Sequence, residues 1–298
     1  MPDPALSLPL VSIVTPTFNM GGFIEETICS VLEQDYPNVE YWVVDGGSTD
    51  GTLEILARYE GRLRYISEPD GGQSDAINKG FRRSKGVIFT FLNADDTLLP
   101  GAIRAAVDAF STEPLAGVVY GDAWHVAEDG SVLAPYPVEP YLADNLSRRC
   151  FICQPAAFIR SEAFAAAGML DADLHYAMDY DLWIRLSRHY PMKRIDAYLA
   201  TSRLHPASKT VGHRGPSLHA VIELLERHYG YVPFDWLYEY WRHRLCGLPI
   251  ALEKARPSMS AAFVSVADGG RYNWRHPVRY LRDITPFLRD SPPKKQLG

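Results

Sequence analysis

The sequence predicts an α/β fold built on a largely parallel sheet, and three observations predict it. Strand-like and helix-like stretches alternate through the first hundred residues, as parallel βαβ units with right-handed crossovers require. Each strand-like stretch there ends in polar residues: Thr15 and Thr17, then Asp45, then Glu68 and Asp70, then Asp95 and Asp96. In a parallel sheet such ends share one edge, where open α/β folds bind ligands. Later the pattern loosens into short strands and an antiparallel ribbon, and beyond Pro216 it is helical and rich in aromatic residues. Together these give a Rossmann-like mixed sheet flanked by helices over residues 1–210, with a helical C-terminal extension over 211–298.

The elements follow in order. A strand over residues 8–15 runs into Pro16-Thr17-Phe18-Asn19. Gly21 and Gly22 open a helix in which Ile24, Ile28, Val31 and Leu32 recur at helical spacing, and Pro37 blocks its continuation. The second strand, 39–44, ends in Asp45-Gly46-Gly47-Ser48-Thr49-Asp50-Gly51-Thr52 ahead of a helix over 53–59. A third strand covers 63–67, Glu68-Pro69-Asp70-Gly71-Gly72 is a turn cluster, and a helix over 73–83 puts Ala76, Ile77 and Phe81 on one face. Residues 87–92, rich in Val, Ile and Phe, have the length of a buried strand. A helix over 102–110 is followed by a strand at 118–120, a ribbon over 124–134 turning at Glu128-Asp129-Gly130, and a strand at 156–160. Ser161 reads as the cap of the next helix. His175 to Trp183 lead into another helix, ending near Arg188, and 192–197 and 198–202 read as two closing strands.

Composition bounds the function. The chain has 298 residues, 47% of them hydrophobic, ample for a sizeable core. The net charge of −6 gives no electrostatic reason to expect a nucleic-acid partner. The charge is uneven: from Arg256 onward eight basic residues face only Asp268, Asp283 and Asp290, a tail of +5. Cys150 and Cys153 form a CxxC, but no second pair completes a zinc site. With Cys29 and Cys246 they read as reduced, mostly buried thiols of a cytoplasmic protein. The N-terminus lacks the basic and apolar regions of a signal peptide, and no window approaches the ~20 apolar residues of a membrane span.

The central stretch is Phe89-Thr90-Phe91-Leu92-Asn93-Ala94-Asp95-Asp96, an apolar run that ends in two acids. Carboxylates at a strand end suit a hard divalent cation that already carries a phosphate. The alternative is a turn whose Asp caps the helix containing Ile103.

The motifs occur in a recognisable order: Thr15-Pro16-Thr17-Phe18-Asn19, Val43-Val44-Asp45-Gly46-Gly47-Ser48, Ser67-Glu68-Pro69-Asp70-Gly71-Gly72 with Asp75-Ala76-Ile77-Asn78, Leu92-Asn93-Ala94-Asp95-Asp96, Cys153-Gln154-Pro155 and Met178-Asp179-Tyr180-Asp181-Leu182-Trp183. Over residues 8–210 the sequence resembles the family 2 inverting glycosyltransferases, whose fold is called GT-A. The resemblance implies a nucleotide-sugar donor, most simply a UDP-sugar, and a glycan or lipid-linked saccharide acceptor. It assigns nucleotide contacts to Thr15, Pro16, Thr17 and Asp45, and contacts to uridine or ribose to Asp75 and Asn78. An Asx turn that stabilises the glycine-rich loop is the competing reading of Asp45.

The family's Asp-x-Asp motif matches Asn93-Ala94-Asp95, with an amide in place of the first acid. Asp95 is then the expected ligand of Mg2+ or Mn2+, Asn93 acts through water, and Asp96 is either part of the site or a helix cap. The family's Glu-Asp motif matches Met178-Asp179, which makes Asp179 the expected general base, with Asp181 as competitor. Gln154 and Trp183 are implied at the acceptor wall, although Trp183 reads equally as core. His205 is implied as a further metal ligand, and Arg203 and Lys209 as partners of the diphosphate; a solvated basic loop is the other reading.

The tail and the helices carrying Trp236, Tyr238, Tyr240 and Trp241 fit three readings: peripheral contact at the inner face of the membrane, a homodimer interface, or ordinary packing with a solvated basic end. Two other functions compete with transfer. A sugar-nucleotide pyrophosphorylase lacks its basic residue here, because residues 16–22 contain no Arg or Lys. A non-catalytic nucleotide-sugar-binding module is made conceivable by Asn93 and Met178.

Overall fold

The computed structural model describes residues 8–247 and 258–290. Arg256, Lys294 and Lys295 of the basic tail, and the terminal segment 292–298, lie outside the described residues. The chain forms two compact units, one running to Leu204 and the other beginning at His205.

The described residues of the first unit form nine strands: β1 Val11–Thr17, β2 Val39–Asp45, β3 Arg64–Ser67, β4 Ile88–Phe91, β5 Thr97–Leu98, β6 Val118–Val126, β7 Val132–Pro135, β8 Ala157–Arg160 and β9 Met192–Arg203. Six helices accompany them: α1 Ile24–Leu32, α2 Thr52–Arg58, α3 Gln73–Arg83, α4 Ala102–Thr112, α5 Ser161–Ala166 and α6 Met178–Ser187. The strands form one mixed sheet in the order β3-β2-β1-β4-β8-β6-β9-β5, with β7 paired to β6. β1, β2, β3 and β4 are mutually parallel, and β8 turns the sheet antiparallel against both β4 and β6.

β1 is buried along its whole length, as expected of a central parallel strand covered on both faces. It pairs with β2 up to Thr17 but with β4 only up to Val14, so it outruns β4 at its C-terminal end. Pro16 sits in that overhang, where no partner on the β4 side needs its missing N–H. The notch between β1 and β4 is also where the strand order reverses, the place at which such sheets bind ligands. The core beside it is well filled: Phe81 of α3 stacks on Phe89 with centroids 4.4 Å apart, and Phe164 of α5 meets Phe81 edge-on at 4.9 Å.

Three local expectations change. The two closing strands are one, β9, and the irregularity stays within it as a bulge: Arg194 to Tyr198 run opposite only Tyr120 to Asp122 of β6, around Gly121. A Cβ at Gly121 would lie 2.5 Å from the Ala197 carbonyl oxygen, so only glycine lets the strands meet there. Ser161 is the first residue of α5 rather than its cap, and its N–H donates to the Val87 carbonyl at 3.0 Å. α4 starts from Gly101 in the left-handed region, so Asp96 does not cap it.

The second unit comprises a single turn α7, Lys209–Gly212, then α8 Arg214–Tyr229, α9 Phe234–Cys246, α10 Met259–Tyr272 and α11 Pro277–Asp290. α8 buries Leu218, Val221, Ile222, Leu224 and Leu225. Phe234 of α9 anchors a ring cluster with Tyr238, Tyr280 and Phe287, at 5.8, 6.4 and 5.1 Å.

Candidate active site

The parallel register puts Thr17, Asp45 and Ser67 side by side at one sheet edge. The loops beyond them are stitched together. Asn19 takes the left-handed conformation, its N–H donates to Ser48 Oγ at 2.7 Å, and its side-chain oxygen accepts from the Thr49 N–H at 2.8 Å. Asp50 accepts from the Gly21 N–H at 2.9 Å. The edge is therefore a preformed rim.

β4 ends at a tightly specified turn. The Asn93 carbonyl accepts from the Asp96 N–H at 3.1 Å. Thr27 Oγ1 donates to the Ala94 and Asp96 carbonyls at 2.9 and 2.8 Å, and Arg203 Nε donates to the Asp95 carbonyl at 2.9 Å. Every carbonyl from 93 to 96 is thereby held, and the half-buried Asp95 carboxylate is carried on a fixed backbone.

Asp96 points inward, accepting from the Arg203 N–H at 2.9 Å and from Asn93 Nδ2 at 3.0 Å. Burial, and next the Asp95 charge, hold its pKa well above the usual carboxylate range, against the opposing pull of its donors. Asn93 is fully engaged: its amide also donates to Gln154 Oε1 at 3.2 Å, and its oxygen accepts from Gln73 Nε2 at 2.6 Å. Gln154 Nε2 in turn donates to the Phe91 carbonyl.

α6 brings the second acid. Its N-terminus is set by Ala177 in the left-handed region and by Ser74 Oγ donating to Met178 Sδ at 2.9 Å. Asp179, half-buried, lies in the first turn, where the helix dipole favours an anion. Asp181 turns inward and pairs with Arg185 at 2.7 Å. Charges on both acid-bearing segments reach one buried thiol. The Cys153 thiol is pushed up by burial first and then by the Asp96, Cys150 and Asp179 charges. Cys150 is raised by burial and by Asp179, and Tyr136 by burial and, among other charges, that of Asp179. Contacts join these segments at the start of α3: Gln73 and Gln154 both meet Asn93 of the β4 turn, and Ser74, next to Gln73, meets Met178 of α6.

Residues 12–164, just over half the chain, match the sequence model of the family described as Glycosyl transferase family 2. The chain belongs to this family. It is 32% identical over 207 residues to an uncharacterized glycosyltransferase of Rickettsia felis, covering 66% of this chain and 34% of that one. An uncharacterized glycosyltransferase of Rickettsia prowazekii is 30% identical over 210 residues, with 68% and 66% covered. The chondroitin synthase of Escherichia coli is 27% identical over 207 residues, with 68% and 30% covered. The chain thus spans only about a third of the Rickettsia felis protein and of the synthase. Among solved structures, Staphylococcus aureus TarS 1–349 in complex with UDP-GlcNAc superposes with a TM-score of 0.57 at 18% identity, covering 93% of this chain and 73% of that one. The mannosyltransferase PcManGT of Pyrobaculum calidifontis, in complex with GDP-Man and Mn2+, gives 0.59 at 19%, with 95% and 86% covered. The fold of this family 2 member is GT-A.

Several residues singled out in the sequence have other work in the fold. Asn78 is buried, donates to the Leu170 carbonyl at 2.8 Å and accepts from the Leu170 N–H at 3.1 Å, so it ties α3 to the segment after α5 and offers nothing to a ribose. Trp183 is wholly buried core, not a wall for a sugar. The Arg203 guanidinium is also buried: besides Asp95 it binds the Glu128 carbonyl at 2.8 Å and Glu26 at 2.6 Å, so it holds the β4 turn rather than a phosphate. Asp45 is fully buried, accepting from the N–H groups of Gly47 and Ser48 and from the hydroxyls of Ser48 and Ser67. A nucleobase reaching it must displace one of these donors.

Other residues keep their place at the edge or lie elsewhere. Asp75 accepts from the Gly71 N–H at 3.0 Å and pairs with Lys79 at 3.3 Å; the Gly71 hydrogen bond, foremost, holds its carboxyl below the usual range. Thr15 Oγ1 shares a hydrogen bond with the Tyr41 hydroxyl at 3.0 Å, and Thr17 Oγ1 is buried without a hydrogen-bond partner among the described residues. His205 and Lys209 belong to the second unit, where His205 is buried and Lys209 opens α7. Cys246 is exposed, unlike the buried thiol expected. Sequence reasoning missed Thr27 and Gln73. Gln73, directly after the Gly71-Gly72 pair at a helix start, carried a faint positional signal, while Thr27 inside a helical pattern carried none.

Proposed function

We propose that the chain is an inverting glycosyltransferase. It moves a sugar from a nucleotide diphosphate donor, a UDP-sugar, to a hydroxyl of a glycan or lipid-linked saccharide during cell-surface polysaccharide or glycan biosynthesis. The observation that supports this reading is the start of α3, where Gln73 donates to Asn93 of the β4 turn at 2.6 Å and its neighbour Ser74 donates to Met178 Sδ at the start of α6 at 2.9 Å. In this reading Asp95 and Asp179, each next to one of these contacts and carried on separate elements, supply the two acids that a single displacement needs.

In this reading Asp179 takes the proton from the acceptor hydroxyl as that oxygen attacks the anomeric carbon opposite the departing diphosphate. The chain offers one carboxylate to a cation at the β4 turn, because Asp96 is engaged inward and Asn93 is spent on Gln154, Gln73 and Asp96. Among the described residues no group of three or more His, Cys, Asp or Glu side chains stands ready to hold a metal. A single carboxylate fits Mg2+ or Mn2+ that is shared with substrate phosphates and keeps its waters. Asp95 would hold such an ion, which when bound neutralises charge on the leaving diphosphate.

Asp179→Asn tests the assignment. Product formation from UDP-sugars falls by about 10²- to 10⁴-fold, the usual worth of a general base, while UDP still raises the melting temperature as in the parent. Equal turnover by mutant and parent would remove Asp179 from the role.

A further inference from the structure

α10 and α11 turn large apolar side chains outward. Met259, Phe263 and Val266 recur four and three residues apart on α10, on the side away from its buried Ala261, Ala262 and Ser265. On α11 Val278 and Leu281, three residues apart, are exposed, while Tyr280 and Ile284 are buried. Phe263 is 77% exposed and Trp274, in the turn between the helices, 69%. That turn is rigid: Asn273 donates to the Val232 carbonyl and accepts from the Val232 N–H, both at 2.8 Å. Trp274 is thus held out by design of the backbone, with Arg275 stacked on it at 4.8 Å.

Charge chooses what covers this face. Between Met259 and Phe287 the charged residues are Arg271, Arg275, Arg279, Arg282, Asp268 and Asp283. All four arginines are exposed. Both acids are engaged within the unit, Asp268 by Trp241 Nε1 at 2.8 Å and Asp283 by the Tyr231 hydroxyl. What remains outward is apolar and cationic. A second copy meeting this face through a two-fold axis would set the two arginine groups against each other. A bilayer with anionic headgroups accepts both features: apolar side chains enter the acyl boundary, tryptophan sits at headgroup level, and arginines meet phosphates. Each helix has 14 residues, and no helix among the described residues is long and apolar enough to cross a membrane, so contact of this kind lies along the surface.

We propose that the outer face of α10 and α11 docks the protein on an anionic lipid surface, with Phe263, Trp274 and Leu281 inserting and Arg275 and Arg282 binding headgroups. This stands independently of the transfer reading.

Flotation of the full chain with phosphatidylcholine vesicles, with and without 30% phosphatidylglycerol, tests it. The protein floats with the anionic vesicles and not with the neutral ones, and high salt weakens the association. The F263S/W274S/L281S variant loses at least tenfold in bound fraction, and so does R275E/R282E. Circular dichroism and melting temperature, unchanged because all five side chains are exposed, show that the variants are folded. Equal flotation of variants and parent, equal binding to both vesicle types, or no flotation at all would overturn the proposal. A concentration-dependent dimer in sedimentation, abolished by F263S/W274S/L281S, would assign the face to a second copy instead.

Discussion

Arg203 meets its donors with the Asp95, Glu128 and Ala127 carbonyls and with the Glu26 carboxylate, and its own N–H reaches Asp96. Its side chain is only 2% exposed, whereas that of Glu26 is 58% exposed, so the ion pair itself is partly solvated and contributes modestly. The larger share lies in the carbonyls that the guanidinium satisfies. Arg203→Met leaves those buried acceptors unpaired while keeping the backbone N–H to Asp96, and lowers unfolding stability by about 3 kcal/mol. Urea denaturation reads the loss. If the residue held a phosphate instead, stability would hold and only donor affinity would fall. Trp183 separates in the same way: Trp183→Ala costs about 3–5 kcal/mol as a core truncation, and a shift in acceptor KM without loss of stability would return it to the sugar-binding wall.

At the scale of elements, β6 and β9 cross at Gly121, where a Cβ would meet the Ala197 carbonyl and Leu199. Gly121→Val forces the two strands apart and destabilises the first unit by about 1–3 kcal/mol, measured again by urea unfolding. A cost near zero would show that β9 tolerates a break there, as the sequence had implied. The same site shows what a sequence makes legible. Alternation of strand and helix, and acids at the ends of apolar runs, are local patterns; they led to the parallel half of the sheet and to the acids on its edge. Whether a polar residue faces a ligand or a backbone is decided by its partner. Asn78 meets Leu170 across 92 positions, and the Arg203 N–H meets Asp96 across 107. No spacing rule reaches that far, so Asn78 read as a site residue, Arg203 as a phosphate partner or a solvated loop residue and Trp183 as wall or core, when the fold had taken all three for itself.

For the whole molecule, a bound donor is a stabilising ligand, and its effect on global unfolding separates the roles of the two acids. A nucleotide-sugar at a hundred times its dissociation constant stabilises the native state by about 2.7 kcal/mol. For a chain of this size that raises the melting temperature by roughly 5 °C. If Asp95 grips a cation shared with the diphosphate, Mn2+ enlarges the shift given by a UDP-sugar, and the enlargement disappears in Asp95→Asn while the metal-independent part from the nucleoside rim remains. Asp179→Asn keeps both parts, because in the proposed mechanism Asp179 serves the acceptor and not the donor. A panel of UDP-, GDP- and dTDP-sugars, each with and without Mn2+, reads all of this in one format. A metal effect that survives Asp95→Asn would remove the cation from the β4 turn, and a larger shift with GDP-sugars than with UDP-sugars would replace the uridine donor. The nine-stranded framework would stand in either case, since its register depends on pairings such as Thr17 with Asp45 that no donor supplies.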